Sequence, residues 1–284
     1  MSNIQDFSGY NPTWCPGCGN WGIGTALKKA LAELGYSPDQ VIIVFGIGCS
    51  GNMNDFVNAY AIHSLHGRAI PNAIGVKLAN HKMPVIAVVG DGDFYGEGGN
   101  HFIHACRGNH DITVLVHDNR VYGLTTGQSA PTSPKGFKSK STPLGLIEVP
   151  INPLALALTQ GASFIAQSFA GDLIHLINTI KQAISHKGFS LVNILQPCVT
   201  FNKINTYEYY LKRIYKLDEK YERKNFNEAL KKSLEANQEK FPLGIIYQSE
   251  RLAYHQQLSQ LSDDIPLINK NKFEKIENIL NYFK

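Results

Sequence analysis

The sequence predicts an α/β fold, with one mostly parallel sheet covered by helices on both faces and a C-terminal extension. Three observations lead there. Short apolar runs rich in Val and Ile alternate with helix-period segments throughout residues 20–198. Most of those runs end in Gly, Asp, Asn or Cys, as strands do when they feed loops at one edge of a sheet. Beyond Thr200 the composition shifts to Tyr, Lys, Glu and Asn.

The elements follow in chain order. Residues 1–14 are polar and turn-rich, and Cys15-Pro16-Gly17-Cys18-Gly19-Asn20 follows them. A helix over 22–34 places Ile23, Leu27, Ala30, Leu31 and Leu34 on one face, with Gly35 as its C-cap. Val41-Ile42-Ile43-Val44-Phe45 is a strand that runs into Gly46-Ile47-Gly48-Cys49-Ser50-Gly51. Leu65-His66-Gly67-Arg68-Ala69 opens a helix toward Leu78. Val85–Val89 and Ile112–Val116 are buried strands with a helix near 98–108 between them. Residues 125–150 carry four prolines with Ser, Thr and Gly, the composition of a functional loop. A helix over 153–159, a strand over 164–169, a helix over 172–187 and a strand over 190–195 complete the alternation, and the last strand ends in Gln196-Pro197-Cys198. The division expected is 1–200 for the sheet domain and 201–284 for an extension of helices and loops, with one apolar segment at 241–247.

Composition limits the function. Of the 284 residues 43% are apolar, enough for a core, and 18% are charged, too few for general disorder. A net charge of +4 without a Lys/Arg block argues against a nucleic-acid partner. No apolar run reaches the length of a membrane span, and Met1–Asp6 lacks the basic and apolar regions of a signal peptide. A cytoplasmic protein is expected. Five cysteines in such a chain point to metal or redox chemistry rather than disulfides.

Two strand ends carry the first chemical signal. Gly90-Asp91-Gly92-Asp93 closes one buried strand, and Asp118-Asn119-Arg120-Val121-Tyr122-Gly123 closes the next. A carboxylate and a carboxamide at one sheet edge suit Mg²⁺, which takes oxygen ligands and keeps phosphate oxygens in its shell. Glycines around Asp91 let backbone approach a diphosphate. The paired spacing resembles the diphosphate motif of thiamine diphosphate (ThDP) enzymes. That resemblance makes Asp91, the Asn119 side chain and the Val121 carbonyl the Mg²⁺ ligands.

The cysteines carry the second. Cys15 and Cys18 form a Cys-x-x-Cys pair, and Cys49 and Cys198 each follow a strand end at the same expected edge as Asp91 and Asn119. Four thiolates suit zinc or an iron–sulfur cluster equally by ligand type. Single ligands from distant strand ends fit a cluster beside a reactive cofactor better than a structural zinc. Cys106, inside a helical run, reads as a buried apolar thiol.

Taken in order, Trp14-Cys15-Pro16-Gly17-Cys18-Gly19, Gly46–Gly51, Leu65–Ala69, Gly90–Asp93, Asp118–Gln128 and Gln196-Pro197-Cys198 resemble the β subunit of 2-oxoacid:ferredoxin oxidoreductases over about residues 10–250. The resemblance implies a ThDP diphosphate-binding fold and oxidative decarboxylation of a 2-oxoacid to a coenzyme A thioester, with electrons passed to ferredoxin. It implies a [4Fe-4S] cluster on Cys15, Cys18, Cys49 and Cys198. It places Ile47, Gly48, Cys49, Ser50, His66, Gly92, Asp93, Gly123 and Leu124 in the ThDP pocket. His66 and Asn52 are the candidate catalytic residues. His66 can donate to a substrate oxygen, and Asn52 stands where some relatives carry a basic residue.

The family pattern also implies a partner α subunit, in an αβ or α₂β₂ assembly, that supplies the glutamate on the pyrimidine side. The segments Gly127-Gln128, Pro131-Thr132-Ser133 and Ser141–Gly145 favour 2-oxoglutarate over pyruvate as substrate, with Arg68, Lys77 or the partner supplying a cation for the distal carboxylate. Two other readings compete: a non-redox ThDP decarboxylase or carboligase, and a zinc-stabilised scaffold that binds a partner without catalysis.

Overall fold

The computed structural model describes residues 2–235, 240–261, 265–270 and 280–281. The extension expected over 201–284 therefore lies partly outside the described residues. Eight strands form one sheet in the order β2-β1-β3-β4-β6-β5-β8-β7. They are β1 (Ile42–Phe45), β2 (Tyr60–His63), β3 (Val85–Gly90), β4 (Thr113–Asp118), β5 (Phe164–Phe169), β6 (Ser190–Leu195), β7 (Ile214–Lys216) and β8 (Phe241–Gln248). Every pairing is parallel except β5 with β8.

The sheet is parallel because helices carry the chain back between strands. These are α1 (Asn20–Glu33), α2 (Ala69–Ala79), α3 (Gly99–Gly108), α4 (Pro153–Thr159) and α5 (Leu173–Ser185), with α6 (Tyr207–Leu211) and α7 (Phe226–Glu235) in the extension. The strands alternate their side chains between two cores. Ile43, Phe45, Val88 and Val192 pack with Leu27 and Leu31 of α1 and Leu176 and Ile180 of α5. Val44, Ala87, Val114 and Leu191 pack on the other side with Ala73 of α2, Phe102 of α3 and Leu154 of α4. Each large side chain buried completely contributes roughly 1.5–3 kcal/mol.

The chain turns outward from β1 to β2 and then inward to β3. The crevice between β1 and β3 is thus a topological switch point, where open α/β sheets bind ligands.

The structure differs from the sequence reading in four elements, one of them β7, a short sheet strand in a segment expected to hold helices and loops. β2, Tyr60-Ala61-Ile62-His63, is four residues long and wholly exposed at the sheet edge, too short to show a strand period. The Gly92–Glu97 segment winds as a π-helical turn before α3. The apolar segment at 241–247 is β8, which extends the sheet antiparallel to β5, so part of the extension belongs to the sheet. Among the described residues no helix is long and apolar enough to cross a membrane.

Candidate active site

Four adjacent strands, β1, β3, β4 and β6, deliver their C-terminal loops to one edge. After β1 the chain folds tightly on itself. A Cβ at Gly51 would lie 1.9 Å from the Gly46 carbonyl oxygen, so backbone must pack on backbone here. Gly48 holds φ +119, a conformation natural to glycine. The Ser50 hydroxyl is buried with no protein partner. It lies 3.4 Å from where a Gly90 Cβ would stand, between the first and second loops. Asn52 is half-buried on the following turn, its N–H bonded to the Gly48 carbonyl at 3.2 Å.

Asp91 and Asp93 follow β3, and both are 2% exposed. Burial, then the charge of Asp118, pushes the Asp91 carboxyl up to about 8. The Thr132 hydroxyl donates to its Oδ2. Asp93 clasps two turns. Its Oδ1 accepts from the Gly67 N–H at 2.8 Å and faces His66 Nδ1 at 3.0 Å. Its Oδ2 stands 1.9 Å from where a Gly46 Cβ would be. A carboxylate on Nδ1 makes that nitrogen the donor and leaves Nε2 for a second partner.

After β4, Arg120 adopts φ 59, which reverses the chain. Asn119 Oδ1 accepts from the Val121 N–H at 3.0 Å. The loop is tied by Ser133 Oγ donating to the Arg120 carbonyl at 2.7 Å and Asn202 Nδ2 donating to the Asn119 carbonyl at 3.0 Å. Tyr122 lies across Gly92. A Gly92 Cβ would come within 2.3 Å of its ring, and its hydroxyl donates to the Gly92 carbonyl at 3.1 Å.

Gly123 joins this loop to the thiols. From its missing Cβ, Cys49 Sγ lies at 3.6 Å, Asn119 Nδ2 at 3.8 Å and Cys198 Sγ at 3.8 Å. Leu124 beside it is half exposed. Cys15 is exposed, and Cys18 and Cys198 are buried. The Cys15-x-x-Cys18 turn closes through the Cys18 N–H to the Cys15 carbonyl at 3.0 Å, and Gly19 N–H to the Pro197 carbonyl at 3.1 Å holds it to the loop after β6. The Trp14 indole N–H donates to the Cys49 carbonyl at 2.7 Å. Burial, then the neighbouring thiols of Cys18, Cys198 and Cys15, pushes the Cys49 thiol up to about 11. Burial also raises Cys18, with Cys198 and Cys15 adding to it. The four thiols thus share one neighbourhood. Among the described residues no three His, Cys, Asp or Glu side chains close on a single-ion position.

Other candidates fall elsewhere. Cys106 is fully buried on the core face of α3. Lys77 pairs with Asp111 at 2.8 Å and donates to the Met83 carbonyl at 3.0 Å. Asp111 precedes β4, so Lys77 lies at the opposite end of the sheet and is excluded as a substrate cation. The helix α2 runs back along the sheet and carries it there. Arg68 remains near the edge, its Nη1 on the Gly67 and Glu97 carbonyls at 3.2 and 3.3 Å. Sequence reasoning assigned no site role to Thr132, Ser133, Asn202 or Gln196. The Pro131-Thr132-Ser133 cluster was the available signal for the first two. Nothing local marks Asn202.

Comparison with known proteins adds a second line of observation. Residues 46–194 match the family model described as thiamine pyrophosphate enzyme, C-terminal TPP binding domain. Residues 198–263 match the family model for the C-terminal part of the pyruvate ferredoxin oxidoreductase beta subunit. The chain is 48% identical over 263 residues to a 2-oxoacid:ferredoxin oxidoreductase subunit beta of Saccharolobus solfataricus, covering 88% of this chain and 86% of that one. It is 42% identical over 191 residues to a 2-oxoglutarate synthase subunit KorB of Archaeoglobus fulgidus, covering 67% and 71%. A solved 2-oxoglutarate:ferredoxin oxidoreductase from Magnetococcus marinus, with 2-oxoglutarate, coenzyme A and succinyl-CoA bound, superposes with a TM-score of 0.92 at 36% identity, covering 99% of this chain and 96% of that one.

Proposed function

This chain belongs to the β-subunit family of the 2-oxoacid:ferredoxin oxidoreductases, and from that premise we propose that it oxidatively decarboxylates a 2-oxoacid, 2-oxoglutarate first, to an acyl-CoA. The KorB relatives and the 2-oxoglutarate in the similar solved structure support that substrate. The partner is an α chain, as the β-subunit names of the relatives imply, in an αβ or α₂β₂ assembly. It supplies the pyrimidine-side glutamate, and ferredoxin takes the electrons. The cofactor work belongs to residues 1–200 and the extension to 201–284. The cytoplasm is the expected compartment, where free thiols stay reduced.

One observation carries the reading. At Gly123 the Asn119 carboxamide and the sulfurs of Cys49 and Cys198 come within contact distance of a single backbone position. A diphosphate-binding loop and a thiol cluster therefore share a wall.

The residues fit the groups proposed. Among the described residues Asp91 is a buried carboxylate with no cation in contact, and Ser50 a buried hydroxyl without a partner. Asp91, Asn119 and the Val121 carbonyl would hold Mg²⁺, and the glycines at 48, 92 and 123 with Ile47, Ser50 and Leu124 would line the ThDP pocket. ThDP, when bound, supplies the electron sink for decarboxylation. A [4Fe-4S] cluster on Cys15, Cys18, Cys49 and Cys198 supplies a one-electron acceptor. A four-iron cluster takes one thiolate per iron, and the chain brings four thiols into one neighbourhood.

The chain's own residues do the remaining work. Asp93 orients His66 through Nδ1 and fixes the turns at Gly46 and Gly67. His66 then meets substrate with its other nitrogen. Asn52 offers a hydrogen bond without charge, so Arg68 or the partner must meet a distal carboxylate.

Anaerobic purification with iron, sulfide and thiamine assays tests the reading, followed by turnover of 2-oxoglutarate and pyruvate with the α chain. Brown protein bleached by dithionite, with bound thiamine and preference for 2-oxoglutarate, is expected. Colourless protein holding one zinc and no thiamine supports the scaffold reading instead. Thiamine without iron supports the non-redox decarboxylase.

A further inference from the structure

We propose that Gln196 sets the reduction potential of the cluster through a hydrogen bond to the Cys18 sulfur, an inference that rests on the [4Fe-4S] reading above. Its Nε2 lies 3.3 Å from Cys18 Sγ, within the range of an N–H···S bond. The Asn20 backbone N–H reaches the same sulfur, so Cys18 receives two donors.

The surroundings hold the carboxamide in this one orientation. Gln196 is 1% exposed. Its backbone N–H bonds to the Asp118 carbonyl at 3.0 Å, continuing the ladder between β4 and β6 past the last strand residue. Gly19 leaves the slot open, since a Cβ there would fall 2.6 Å from Gln196 Cγ and 3.1 Å from the Ala170 Cβ. Among the described residues the Oε1 has no protein partner. A buried amide left half-satisfied costs stability. The bond that it does make is to a sulfur that the proposed function assigns to the cluster.

The direction of the effect follows from charge. Reduction adds one electron, and the added negative charge spreads over the cluster's sulfurs. A buried N–H dipole aimed at one of them stabilises the reduced state more than the oxidised state, and low local polarity strengthens the effect. Hydrogen bonds to sulfur are among the levers that tune such potentials. Gln196 is therefore a positioning residue, acting on the electron acceptor rather than on substrate.

The experiment uses the full chain loaded anaerobically with iron and sulfide. Its midpoint is followed by redox titration with electron paramagnetic resonance. Q196M keeps an unbranched chain of similar length and removes the donor. At the wild-type midpoint its reduced-to-oxidised ratio should fall about tenfold, equal to about 59 mV for one electron. Q196E keeps the shape and replaces the donor with a charge, and its midpoint should fall further once ionised. Unchanged midpoints in both variants overturn the inference and leave the cluster reading intact.

A second measurement covers variants that fail to hold iron. In wild-type protein labelled with ¹⁵N at glutamine side chains, pulsed resonance of the reduced cluster should show a weak coupling to nitrogen. No coupling also overturns the inference. Wild-type protein that takes up no iron and sulfide refutes the proposed function itself, a separate result.

Discussion

Asp91 is a carboxylate buried at 2% exposure with a hydroxyl, not a cation, against it. Ionising it there without a cation costs stability, which is why burial pushes it up to about 8. Asp91→Asn removes the ionisable group and keeps the shape. The mutant should bind ThDP with Mg²⁺ more weakly by about 10–100-fold, the range for disturbed metal shells. The cofactor-free chain should melt no lower than wild type. Titration calorimetry and thermal melts together test this, and unchanged ThDP affinity would refute the ligand assignment. His110 shows the opposite kind of shift. Burial, then His255, lowers it from 6.5 to about 4, and its ring lies on Tyr254 at 4.4 Å. The folded state binds its proton less tightly than the unfolded chain. Its contribution is therefore present above pH 6.5 and is lost as pH falls through about 4. His110→Phe should flatten melting temperature against pH in that window, whereas an unaltered profile would show that other groups control it.

At the scale of elements, the informative pieces are the turns that join them. The π-helical turn over Gly92–Glu97 brings Asp93 against both the β1 loop and the His66 turn, a contact that no local pattern announces. A second junction lies at the opposite edge. Asn109 sits at φ 51 after α3. Its Nδ2 donates to the Arg251 and Leu252 carbonyls, both at 3.1 Å, and its Oδ1 accepts from Ser163 Oγ at 2.6 Å and the Phe189 N–H at 2.9 Å. One carboxamide thus ties the starts of β5 and β6 to the segment after β8. Asn109→Ala strands buried partners and puts alanine in a left-handed conformation. It should cost roughly 2–4 kcal/mol, read as a lower denaturant midpoint. A loss within about 0.5 kcal/mol, typical of plain surface sites, would mean that the junction is redundant.

At the scale of the molecule, several large apolar side chains stand uncovered, three of them within residues 144–149. Leu144 is 97% exposed, Ile147 83%, Leu65 78% and Val149 75%. Exposed apolar groups close together in one segment suit an interaction surface, and a β subunit has an α chain to meet. The double variant L144D/I147D should leave the melt of the isolated chain unchanged and weaken pairing with the α chain at least about tenfold, or about 1.4 kcal/mol. Sedimentation of the mixed chains measures this, and undiminished pairing would place the interface elsewhere. The isolated chain should turn over no 2-oxoacid, and activity without the α chain would refute the shared-site reading.

The amino-acid sequence alone determined the alternating architecture, because buried parallel strands must be apolar along their whole length and amphipathic helices must repeat every turn. It also singled out Asp91, Asn119, Cys49 and Cys198 as candidates, because each is a potential ligand just past an apolar run, and the structure places all four at one edge of the sheet. The folded chain decided what depends on distance through space. Lys77 looked available in sequence and is spent on Asp111 at the far edge. Asp93, Thr132, Asn202 and Gln196 acquire partners 26, 41, 83 and 178 residues away along the chain. β2 is four residues at the sheet edge, all exposed among the described residues, and is too short for an alternation to be read. Periodicity records how a residue sits within its own element, whereas hydrogen bonds between loops arise only when the sheet sets those loops side by side.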